Sequence, residues 1–148
     1  MKVTLLLADA AQAVGGKLYV LGGGWSIIGP DPAPTALAIK IDVPWDEANA
    51  RHLLEVRLEK LDGQPVLVPT PMGDQPLKIE SQFEVGRPPG IKPGTALDMA
   101  IAVAIAPIPL DPGEGYVWVL SIDGRSEDTW RAPFSVRQRD AQPPAAQA

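Results

Sequence analysis

The chain has 148 residues, 13 of them basic and 18 acidic, for a net charge of −5. That length suits one domain with its own core, and an acidic chain with scattered basic residues lacks the cationic surface that nucleic acid requires. With no cysteine there is no disulfide, thiolate metal site or thiol nucleophile, while 17 prolines and 14 glycines imply many short elements joined by turns.

Lys2 and the apolar run Val3 to Ala8 precede Ala11-Gln12-Ala13, which has the outline of a secretion signal. The run is shorter than a signal's apolar region and Asp9 interrupts it. Val3 to Ala8 are therefore expected to form a first β-strand, with a secretion signal over residues 1–13 as the alternative. A turn at Gly15-Gly16 leads into a second strand from Lys17. Gly22-Gly23-Gly24 then precedes Trp25-Ser26-Ile27-Ile28. A phosphate-binding loop would lead into a helix, so these glycines read as a bend between strands.

Leu37, Ile39, Ile41 and Val43 share one face of the next strand. Trp45 to Ala50, with Pro44 before it and Asp46 as its cap, is the one expected helical turn. In His52 to Leu61, His52, Leu54, Val56 and Leu58 alternate with polar residues, the mark of a half-buried antiparallel strand. Asp62-Gly63 turns the chain, Gln64 to Val68 returns, and Pro69 to Pro76 reads as a loop. Leu77, Ile79, Phe83 and Val85 follow, with Ser81 as a thin spot or bulge in the inward phase.

Beyond the proline-rich loop Gly86 to Thr95, the strand Ala96 to Ala106 carries Leu97, Met99, Ile101, Val103 and Ile105 on one face. Tyr116, Trp118, Leu120 and Ile122 mark another strand, and Trp130 to Val136 the last. The Pro/Ala/Gln tail, residues 140–148, has no apolar period and is expected to be disordered. About nine short strands predict an all-β fold: a two-sheet antiparallel sandwich over residues 1–139, immunoglobulin-like because its loops are long and unequal. No apolar run approaches a membrane span, and a cytoplasmic location is expected.

The segments Leu7-Ala8-Asp9-Ala10-Ala11 and Gly16-Lys17-Leu18-Tyr19-Val20-Leu21-Gly22-Gly23-Gly24-Trp25 are similar to an uncharacterised family of small prokaryotic proteins, a domain of unknown function. Leu58 to Val66 and Gly115 to Gly124 resemble the same family. The resemblance covers most of the chain and implies a β-rich cytosolic protein. It brings no activity and no catalytic residue.

Little here points to catalysis. His52, the only histidine, is in phase with Leu54 and caps the core at a strand end. One histidine without cysteine does not make the usual zinc site, and no serine sits in a Gly-x-Ser-x-Gly elbow. Carboxylates at Asp42, Asp46 and Glu47, at Asp111 and Glu114, and at Glu127 and Asp128 fit solvated loops better than a calcium site. Of the four tryptophans, Trp118 is in phase with the core, and Trp45 is the best candidate for an exposed stacking surface.

One anomaly points to contact with another protein. Opposite the apolar face of Ala96 to Ala106 stand Ala100, Ala102 and Ala104, where a wet face would be polar. Val117 and Val119 repeat the pattern in the following strand. If the two strands are neighbours, these residues merge into an apolar patch. The expected function is a non-catalytic interaction or assembly module that needs no cofactor, with self-association or another protein as partner. The alternative is a carbohydrate- or small-ligand-binding sandwich using Trp45, Asp46 and Glu47.

Overall fold

The structure, a computed structural model, describes residues 1–140; the tail's expected disorder falls, from residue 141, outside the described residues. Eleven strands follow one another: β1 (Lys2–Val14), β2 (Lys17–Gly23), β3 (Ile27–Ile28), β4 (Thr35–Val43), β5 (Arg51–Lys60), β6 (Leu67–Thr70), β7 (Gly73–Pro76), β8 (Lys78–Glu84), β9 (Leu97–Ile105), β10 (Gly115–Ile122) and β11 (Arg131–Val136). The nearly all-β expectation holds, but about nine strands was too few. Pro69 to Pro76, read as a loop, contributes to the β6–β7 ribbon, a separate two-stranded sheet where proline's missing donors break no central ladder.

At most one short helix was also too few. Two 3-10 turns are present, Trp45–Glu47 and Asp128–Trp130. Asp46 does not cap the first. Pro44 stands at its N-cap with no side-chain hydrogen bond, since proline's ring offers no acceptor.

Two larger sheets share one core. The four-stranded sheet has the order β2-β1-β4-β9 and is antiparallel throughout. The five-stranded sheet has the order β3-β11-β10-β5-β8, antiparallel except where β3 joins β11. Period-two alternation sends Leu37, Ile39, Ile41 and Val43 from the first sheet into the core, and Leu54, Val56, Leu58, Trp118, Leu120 and Phe134 from the second. Each such burial stabilises by about 1.5–3 kcal/mol before chain entropy is counted. Ser81 pairs with Leu54 in an unbroken register and is exposed, so it is a thin spot rather than a bulge.

The four-stranded sheet has two peculiarities. First, it curls. β1 and β9, although β4 lies between them, approach within 8 Å, and so do β2 and β9. Ala8, Ala36 and Ala38, out of phase with the core-facing Leu7, Leu37 and Ile39, are nonetheless buried. A face of methyl side chains lets strands close up this tightly without colliding. Second, β1 outruns β4. It pairs with β4 from Lys2 to Ala8 and with β2 from Ala8 to Val14. Its second half and β2 form a two-stranded arm, roughly 20 Å long at a strand's rise per residue.

Candidate functional site

β4 runs from Thr35 at one end of the molecule to Val43 at the other, and the two ends differ. At the Val43 end the chain is cross-tied around a shallow surface hollow of about 670 Å³ lined by Trp45, Asp46, Asp42 and Lys2. His52 is buried, stacked on Phe83 with centroids 5.2 Å apart. Its Nδ1 lies 2.7 Å from Asp123 Oδ2 and its Nε2 lies 2.8 Å from the Glu47 carbonyl. Two acceptors facing two ring nitrogens suit the doubly protonated imidazolium. Burial pushes the imidazole pKa down, but the Asp123 and Glu47 bonds outweigh it and the net shift is upward. Asp123, which accepts from His52 and from the Leu53 N–H at 2.9 Å, is correspondingly held below the ordinary carboxylate value. Both histidine nitrogens are thus engaged within the fold, leaving neither to activate a hydroxyl.

Trp45 is held in the same way. The Arg87 guanidinium lies over its ring, 4.7 Å from the centroid, while Arg87 Nη2 donates to the Trp45 carbonyl at 2.6 Å. Of the three residues expected to line a ligand loop, Trp45 is thus covered on one face and Glu47 gives its carbonyl to His52. Asp46 is exposed and lines, with Trp45, the open surface hollow, while Glu47 lines a different one with His52.

The Thr35 end is open. A cavity of about 330 Å³ lies there, floored by Trp118, Phe134 and Val136, walled by Trp25 and rimmed by prolines from the β3–β4 loop. Trp25 meets Phe134 edge-on at 6.0 Å, and its Nε1–H is buried with no hydrogen-bond partner among the described residues. An orphaned donor of this kind costs about 1–3 kcal/mol. Asp9 also lines the cavity. A Cβ on Gly22, whose φ is +58°, would collide with the Asp9 carboxylate. The bend read at Gly22-Gly23-Gly24 therefore does a second thing: it makes room for an acid. The signal available in the sequence was Asp9 itself, a carboxylate in the inward phase of Val3, Leu5 and Leu7.

The expected apolar patch does not form as one surface. β9 belongs to the four-stranded sheet and β10 to the five-stranded sheet. Ala100 and Ala102 are half-buried and Ala104 is exposed. Val117 and Val119 are buried, beside the long chains of Glu59, Arg57 and Arg131 as cross-strand neighbours.

The sheet edges carry a clearer signal. The five-stranded sheet ends on β3, only two residues long, and on β8, whose outward row includes Lys78 and Glu80, paired at 2.9 Å. Short or charged edges resist pairing with another chain. β2, an edge of the four-stranded sheet, has neither protection. It pairs with β1 alone among the described strands, and its Tyr19 and Leu21 are 57% and 72% exposed.

A family model matches residues 3–137, from the start of β1 to just past β11. The chain belongs to DUF6941, a family of unknown function. The family resemblance read from the opening segments is thus confirmed over nearly the whole DUF6941 chain. No curated protein matches it. Among the described residues there is no cluster of three or more His, Cys, Asp or Glu side chains placed to hold a metal, and no helix long and apolar enough to cross a membrane.

Proposed function

We propose that this DUF6941 protein is a non-catalytic assembly module that joins a second copy of itself through β2, the open edge of its curled sheet. The observation that carries this reading is the contrast between the guarded edges of the five-stranded sheet and β2. β9, the other edge of the curled sheet, is also unguarded, but its large apolar side chains are buried or half-buried, whereas Tyr19 and Leu21 of β2 are exposed. Among the described residues β2 presents an unpaired row of backbone donors and acceptors, and it carries no proline and one charge, Lys17, at its far end. An antiparallel edge can pair with its own copy across a two-fold axis, since each strand offers the other the same pattern. Centred on Val20, such pairing sets Tyr19 against Leu21 of the second copy, an aromatic–aliphatic pair of the kind that stabilises ladders. The nearby exposed Val14 extends the apolar surface.

The finer picture of an immunoglobulin-like two-sheet sandwich belongs to the same reading; the core fed by both sheets supports it. So does a cytoplasmic setting, where a chain free of cysteine needs no oxidising compartment. The interface lies in the sheet that holds Ala100, Ala102 and Ala104, at its other edge. Light scattering after size exclusion tests the reading. The wild type is expected to run as a dimer at micromolar concentration, and Leu21→Lys as a monomer with an unchanged circular dichroism spectrum. A monomeric wild type contradicts it.

A further inference from the structure

We infer that the cavity at the Thr35 end is a binding site for a small monocation, an amine carried on an aromatic or branched apolar body. Assembly through β2 is a separate matter, and a monomeric protein would keep this site. The cavity's volume, about 330 Å³, places it at the small end of ligand pockets and admits a body of roughly ten to fifteen non-hydrogen atoms. Its lining is largely aromatic and aliphatic, Ile108 and Leu110 joining Trp118, Phe134 and Val136. Such a lining selects for an apolar body.

The charge of the ligand follows from the rim. Two carboxylates line the cavity, Asp9 and Asp31. Asp31 is occupied, since Arg139 Nη1 lies 2.9 Å from its Oδ1. Asp9 makes no ion pair among the described residues, so one negative charge stands free at the mouth of an apolar hollow. Its position is built rather than incidental. Asp9 stands where the alternation of β1 would place an apolar side chain, and Gly22 leaves open the space its carboxylate fills. A cation beside Asp9 would also lie close to the indole of Trp25, whose ring face attracts positive charge. An anionic ligand would meet Asp9 with nothing to offset the repulsion.

Three isosteric probes separate the contributions: 3-phenylpropylamine, 3-phenylpropanol and 3-phenylpropionate, titrated at neutral pH where the alkylamine is charged. Binding is followed by tryptophan fluorescence excited beyond the phenyl band. The amine is expected to bind saturably and about tenfold or more tighter than the alcohol, with the carboxylate weakest. Asp9→Asn is expected to lower the amine to the affinity of the alcohol while leaving the alcohol unchanged. Its melting temperature should match the wild type, because Asp9 is exposed. Equal affinity for amine and alcohol, an amine affinity untouched by Asp9→Asn, or no saturation by any probe would each overturn the assignment.

Discussion

The two large sheets meet the same problem, an outer face and two edges exposed to water, and answer it differently. The five-stranded sheet lays Arg57, Glu59 and Arg131 beside Val117 and Val119, and ends on a two-residue strand and a charged one. The four-stranded sheet carries methyl groups on the face opposite the core, curls on them, and leaves β2 bare. An apolar face therefore need not signal a partner. In β10 it is buried within the described chain, with charged cross-strand neighbours, and in β4 it serves curvature. The unguarded backbone edge is the better sign of assembly.

The largest expected effect lies where the sheets meet. Trp118 is buried in the shared core, and Trp118→Ala is expected to cost about 3–5 kcal/mol through lost burial and the cavity left behind. Denaturant titration measures it. A variant of near-normal stability would mean that the sheets are not joined through this side chain.

A smaller loss is expected from the curl. Ala38 is buried between Leu6 and Ala102, its partners on β1 and β9. Ala38→Leu adds three carbons where strands have closed up, and overpacking of this kind costs about 1–3 kcal/mol. If instead the alanine face is merely wet surface, the variant will unfold at the same denaturant concentration as the wild type.

How far the sequence disclosed this comparison depends on range. Period-two alternation found β4, β5, β9 and β10 and the inward side of each, because that pattern is local to one strand. It also marked the alanines of β9 as odd. What covers them is set by which strand lies alongside, and β9 and β10, consecutive in the chain, fall in different sheets. The β6–β7 ribbon was hidden by its prolines, which are tolerated because the ribbon has no central strand. Trp45 looked exposed in its loop, but Arg87, far away in sequence, covers it. Asp9 was visible as a break in an apolar run, while its place on the cavity that Trp25 and Phe134 also line needed the fold.

Modest in size but definite in sign is the pH dependence at the tied end, which bears on the five-stranded sheet alone. The folded pKa of His52 lies above its ordinary value of 6.5. The stabilisation is therefore complete below that value and is lost as pH rises through the raised folded pKa. Asp123, lowered from 3.8, gives the opposite limb: its contribution is present above that value and lost as pH falls through the folded one. Thermal unfolding across both limbs should show wild-type stability falling, relative to His52→Gln, as pH rises above the ordinary value of 6.5. Parallel curves for the two proteins would mean that His52 is not held as the imidazolium.

The most direct measurement is amide hydrogen exchange of β2 as a function of protein concentration, with β8 as the internal control. Both are edge strands, with outward N–H groups that no described strand pairs. If copies join through β2, its outward amides become protected as concentration rises through the dimer's dissociation constant, while those of β8 exchange at a constant rate. Exchange from β2 as fast as from β8 at every concentration would contradict assembly through this edge.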